Sequence, residues 1–210
     1  MKVNRTDTGK IIFKTAIWLL CIAVAVLLCV LLYGYLYKRG TFLPKWISWK
    51  EKSEKHTFED RPGRNEDPER EIRVEDAFVD LKDKNFTLSC DDGAPLWTTE
   101  DGWLVSDYFI GDIDHDEEDE IVILFWRIGS FGRHKPIWIK EDEKTWSQHI
   151  GIYDYEVDKP ERAAPEWVSS RMGIEAADFF LDEEEILHII TPEGKDVRWC
   201  WINWGLTLMD

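Results

Sequence analysis

From Thr15 to Tyr37 the chain carries no charged residue, and this run of 23 (TAIWLLCIAVAVLLCVLLYGYLY) constrains everything that follows it. Coiled as an α-helix it reaches roughly 34 Å, enough to cross the hydrocarbon of a bilayer with some tilt. Trp18 near one end, Tyr33, Tyr35 and Tyr37 at the other, and Lys38-Arg39 beyond suit the two membrane–water interfaces. A cleaved signal peptide has a shorter apolar core and a small-x-small site, whereas this run ends in bulky tyrosines. Cys21 and Cys29 each follow a leucine, which argues against lipoprotein processing. The expectation is an uncleaved single-pass anchor over residues 15–37. A basic tail (residues 1–14) precedes it and a juxtamembrane segment with a charged linker (38–72) follows. Lys2, Arg5, Lys10 and Lys14 on one side nearly balance Lys38, Arg39, Lys45, Lys50 and Lys52 on the other, so the positive-inside rule leaves orientation open.

Charge is distributed unevenly. Residues 1–55 hold ten Lys/Arg against Asp7, Glu51 and Glu54, a balance of +7 in a chain of net −16, which leaves −23 on residues 56–210. Phosphates would be repelled by such a body, so nucleic acid is excluded as its partner; a cation, a cationic partner or plain solvation fits. The stretch 50–71 is charged and nearly free of large apolar residues, and reads as a flexible tether. Beyond Arg73 lie nine of the twelve tryptophans and short runs of β-formers between turn signals, which predict a mainly β domain over 73–210. Residues 86–90 and 94–99 read as a hairpin around Asp91-Asp92-Gly93. Residues 103–110 read as a strand, and Ile121–Arg127 (IVILFWR) as a strand buried on both faces. Residues 149–157 pair with 165–169, and 186–191 with 197–204. Glu75–Leu81 holds only a weak helical pattern. Trp103, Trp126, Trp138, Trp167, Trp199 and Trp201 are expected in the core, against a sugar-stacking reading that needs exposed rings. Cys90 and Cys200 could form a disulfide if the domain is extracytoplasmic, but two cysteines define no framework.

One motif carries chemistry. Asp112, Asp114 and Asp116 stand at alternate positions, followed by Glu120 and then the apolar strand from Ile121. Oxygen ligands so spaced line one side of a tight loop, as a hard cation requires. Glu117 and Ile123 occupy the places where an EF-hand needs Gly and Glu, so the loop is not an EF-hand. The alternative is a solvated acidic turn.

The spacing resembles the D-x-D-x-D-G-x-x-D loop of FG-GAP/VCBS-type repeats, the blades of integrin-like β-propellers, as found in bacterial membrane or envelope proteins. Asp112, Asp114, Asp116 and Glu120 match its ligand positions, and Glu117 replaces its turn glycine. Ser130-Phe131-Gly132, Lys135–Trp138 and the hairpin over 149–167 extend the likeness. A degraded second copy over 177–187 offers only Asp178, Asp182 and Glu185 and is expected to hold no metal. The resemblance implies an incomplete or open propeller-like set of antiparallel sheets, about two blades, with open edges that invite homo-oligomers. It also implies a structural calcium ion in the first loop and an extracytoplasmic domain that binds an unknown protein or glycan partner. No catalytic template occurs: there is no G-x-S-x-G, P-loop, H-E-x-x-H or C-x-x-C, and His115, His134, His149 and His188 are scattered. A non-catalytic binding module is expected; a membrane-anchored enzyme or accessory subunit, or a relic of a longer propeller, are the alternatives.

Overall fold

Alternation of apolar and polar residues, repeated strand after strand, builds the chain into three antiparallel sheets. The computed structural model describes residues 5–60, 71–132, 135–157 and 159–209, with side chains from Phe13 onward. Two units are distinguished, residues 1–42 and 43–210. The first is dominated by helix α1 (Arg5–Lys38), whose segment Phe13–Lys38 is long and apolar enough to cross a membrane and is uncovered by other protein. Backbone bonds from Arg39, Gly40 and Thr41 back to Tyr35, Tyr37 and Leu36 carbonyls close its C-terminal end, with Gly40 at φ 70°.

In the second unit every sheet takes its strands in chain order. The first holds β1 (Lys52–Asp60), β2 (Arg73–Lys82), β3 (Asn85–Ser89) and β4 (Pro95–Thr98). The second holds β5 (Leu104–Gly111), β6 (Glu120–Ile128), β7 (Trp146–Tyr155) and β8 (Ala163–Val168). The third holds β9 (Asp178–Leu181), β10 (Leu187–Ile190), β11 (Asp196–Ile202) and β12 (Gly205–Leu208). Among the described residues no sheet closes into a barrel.

The middle sheet is covered on both sides. Because side chains alternate across a strand, Ile121, Ile123 and Phe125 of β6 face one way and Val122 and Leu124 the other. The first group packs with Phe58, Val79, Leu81, Phe86 and Leu88 of the first sheet. The second packs with Phe179, Leu187 and Ile189 of the third. Every residue from Glu120 to Arg127 is buried in consequence, which accounts for the continuous apolar run IVILFWR. Each such side chain contributes roughly 1.5–3 kcal/mol by leaving water.

Several expectations need correction. The tether over 50–71 is, at Lys52–Asp60, a strand paired residue for residue with β2; residues 61–70 lie outside the described residues. A charged stretch becomes a strand here because β2 supplies the ladder and Lys52, His56, Phe58 and Asp60, on one face, are the residues wholly or partly buried. Its lysines blunt an edge that would otherwise invite pairing. The weak helix at Glu75–Leu81 is the centre of β2, with Ala77, Val79 and Leu81 buried at a period of two. There are thus three sheets where about two were expected. Trp138 is 77% exposed, in the loop between β6 and β7 where no sheet covers it, while Trp103 and Trp126 are core residues. Cys90 and Cys200 are free thiols, one in the turn after β3 and one on β11, with the middle sheet between their sheets. The hairpins β3–β4, β7–β8 and β10–β11 form as the sequence predicts.

Candidate metal loop at the head of the middle sheet

Gly111 ends β5 and Glu120 opens β6, opposite one another in the ladder, so the eight residues between them form one closed connection. Asp112 organises it. Its Oδ1 accepts the backbone N–H of His115 (2.7 Å) and Asp116 (3.1 Å), and its Oδ2 that of Glu117 (3.0 Å). Asp116 Oδ1 accepts from Glu118 N–H at 2.9 Å. Folding the chain this tightly forces His115 and Glu117 to positive φ, 68° and 73°. Glu117 thus occupies a left-handed position at the point where the resembled repeats carry glycine.

The turn gathers the predicted ligands. One carboxylate oxygen from each of Asp112, Asp114, Asp116 and Glu120 lies within 4.8 Å of the other three. Ile113, between the first two, is fully buried under the third sheet and pins the loop. Glu120 is 3% exposed, and its Oε2 accepts the Ile113 N–H at 2.8 Å. Asp114 Oδ1 is buried with no hydrogen-bond partner among the described residues.

Two further carboxylates reach the cluster, and the sequence pattern missed both. Glu166 is the extra residue of a bulge in β8, where Ile152 faces Trp167 and Tyr153 faces Pro165; bulges re-aim side chains in this way. Asp154 lies on β7 beside Glu120. Burial, and crowding with like charges, make these acids harder to ionise. Burial, then Asp114, Asp116 and Glu166, pushes the Glu120 carboxyl up to about 9. Partial removal from water, then Asp154, Asp114 and Asp116, raises Glu166 to about 8. Burial and the loop aspartates raise Asp154 to about 6, and Asp114 shifts the same way. A bulge residue thirty-odd positions beyond β6 leaves no spacing signal, although E-W in a Pro-containing strand hints at irregular pairing.

The expected second copy is shifted. Asp178 sits at the start of β9 and takes an ion pair from Lys50 at 2.7 Å, so it is not in a loop. Asp182 heads the β9–β10 turn instead, accepting N–H groups of Glu184 and Ile186 at 2.9 Å each, with Glu185 at φ 59°. Asp182 and Asp196 both engage His188, at 3.0 and 2.9 Å. Among the described residues Asp178, Asp182 and Glu185 form no metal-sized cluster. The two turns meet where His115 Nδ1 contacts the Glu185 carboxylate, and His56 of β1 contacts Asp119 at 3.1 Å. Of the remaining histidines, His149 is fully buried and His134 lies outside the described residues. No family model, curated protein or solved structure matches the chain.

Proposed function

We propose that this chain is a membrane-anchored, extracytoplasmic binding module whose Asp112–Glu120 loop takes a divalent cation, calcium, in a structural role. The observation that carries the reading is the convergence of four carboxylate oxygens, one each from Asp112, Asp114, Asp116 and Glu120, within 4.8 Å of one another, together with a buried Asp114 Oδ1 that has no hydrogen-bond partner among the described residues. An all-oxygen set with two more acids in reserve suits calcium, which accepts 6–8 oxygens in flexible geometry. A bound ion would favour the ionised form of the acids whose pKa burial and crowding raise, and fix the entry to β6. The FG-GAP/VCBS-like reading is supported by four-stranded sheets laid down in chain order. The acidic turns at β5–β6 and β9–β10, in corresponding places of two sheets, support it further. The apolar helix supports anchoring, and a calcium loop with so few committed ligands suits a compartment rich in that ion.

The test is thermal unfolding of the full chain in detergent, with calcium and with chelator, beside Asp112→Asn/Asp114→Asn. Calcium at about 100 times its dissociation constant adds about 2.7 kcal/mol, roughly 5–10 °C in a domain of this size. The double variant is expected to lose that rise. A well-folded chain whose midpoint ignores calcium removes the cation from the proposal and leaves a metal-free module.

A further inference from the structure

At the other end of β6 from the metal loop, Arg127 is buried, 5% exposed. Its Nη2 donates to the Ser130 carbonyl at 2.8 Å and its Nε has no acceptor among the described residues. It forms no ion pair among the described residues. Burial lowers the pKa of this guanidinium, and the charges of Asp142 and Glu100 act the other way without forming an ion pair with it; the Asp142 oxygens are bonded to backbone instead. Burial works against ionisation of Asp142, yet N–H groups of Ser130, Phe131, Gly132 and Glu143 at 2.8–3.0 Å hold it below the usual carboxylate range. The guanidinium lies instead over the rings of Trp103 and Phe125, at 5.6 and 5.7 Å. Those two rings stack at 3.9 Å and 7°. Burying a charge with so few hydrogen bonds is costly, and hydrogen bonds to a bound anion would offset that cost.

The same side chain lines a cavity of about 730 Å³ between β4 and β8, the edge strands of the first and second sheets. Trp97, Trp103 and Tyr153 supply aromatic walls, Leu96 and Val168 aliphatic ones, and Glu100, Asp101 and Glu161 line it as well. A volume of this size with apolar walls and a few polar groups is the usual form of a small-molecule site. We infer that this cavity binds a small organic carboxylate with a flat apolar body, its carboxylate on Arg127 and its body between the aromatic walls. A guanidinium matches a carboxylate in both charge and planar geometry. Glu100, Asp101 and Glu161 oppose every added negative charge, so a monoanion fits beside Arg127 better than a phosphate dianion in a body of net −23.

The site is independent of the metal loop. Seven residues of extended strand, roughly 23 Å, separate Glu120 from Arg127, so the two readings fail separately.

Ligand-observed saturation-transfer NMR and titration calorimetry on the full chain in detergent test it, with phenylacetate, phenylacetamide and phenyl phosphate as probes, each in calcium and in chelator. Phenylacetate is expected to bind saturably, at least about tenfold more tightly than the amide, and to lose at least that factor in Arg127→Met. Arg127→Lys, which keeps the charge and loses the fork, is expected to fall between them. Should Arg127→Met not fold, the acid–amide comparison on the unaltered chain decides. No binding of phenylacetate at about 10 mM, equal affinity for acid and amide, or tighter binding of phenyl phosphate overturns the inference.

Discussion

Two residues are held in states their chemistry disfavours, and each gives a measurable consequence. Glu117 sits at φ 73°, where a side chain with Cβ costs about 1–2 kcal/mol relative to the right-handed region. Glycine relieves that cost and loses part of the gain to unfolded-chain entropy. Glu117→Gly is therefore expected to raise stability by about 1 kcal/mol, with a midpoint higher by roughly 2–4 °C in both calcium and chelator. His149 is buried without exposure; its Nδ1 donates to the Ser169 carbonyl at 3.1 Å and its Nε2 lies 2.8 Å from Ser147 Oγ. Burial, and then Arg127, lower its pKa to about 4. The unfolded imidazole takes its proton near 6.5 and the folded one near 4, so the unfolded state binds more protons between those values. Stability from His149 is complete above pH 6.5 and drains away as pH falls to 4, by roughly 3 kcal/mol. Denaturant titrations of the wild type and His149→Gln should show the gap between them narrowing over that window. A constant gap would place a charged imidazole in the folded state. The raised carboxyls of Glu120 and Asp154 act in the opposite sense, which is why the difference between variants is the quantity to read.

Among the elements, β1 and β6 bracket what a charged and an apolar sequence can do. β1 is polar, yet Lys52 and the preceding Lys50 clamp Asp107 from both sides at 2.5 Å, and Asp107 is 3% exposed. A bulge in β5 places Asp107 there: Val105 faces Phe125 and Asp107 faces Leu124, leaving Ser106 to accept the Lys50 N–H with its carbonyl. Removing both cations, as Lys50→Met/Lys52→Met, strands a buried carboxylate and is expected to cost about 3–5 kcal/mol. The further change Asp107→Asn should restore much of it, measured by chemical denaturation. In β6 successive residues matter equally. Alanine at Ile121, Val122, Ile123 or Leu124 should each cost about 2–4 kcal/mol, whereas in β2 Val79→Ala should and Val74→Ala, at 60% exposure, should not. β6 was legible because two-sided burial removes polar residues from the sequence itself. The hairpins were legible from their turns: Asp91-Asp92-Gly93 and Glu193-Gly194 mark them directly, with both glycines at positive φ. β1 was not, because its apolar content is a single inward phenylalanine and its partner lies beyond a charged interval. Of the acidic site, the loop ligands could be read from alternation within one turn. Glu166 and Asp154 could not, since strand pairing and a bulge bring them in. Arg127 was hidden as the terminal residue of an apolar run, where a charge looks like an ending.

At the scale of the whole chain, the middle sheet contributes to both cores, so neither outer sheet can lose its packing without exposing one of its faces. Residues 43–210 are accordingly expected to unfold in one transition, with tryptophan fluorescence and far-ultraviolet circular dichroism coinciding across denaturant. Separate midpoints would mean that one outer sheet detaches by itself. The stacking also has a temporal side. Each sheet is finished before the next begins along the chain, so the three become available in order during synthesis, at about 5–20 residues per second. For the interval in which only the first sheet has emerged, Phe58, Phe86 and Leu88 have nothing to rest against until β6 arrives. A chaperone that holds the nascent chain would find its hold there, and slow codons after residue 98 would lengthen the wait.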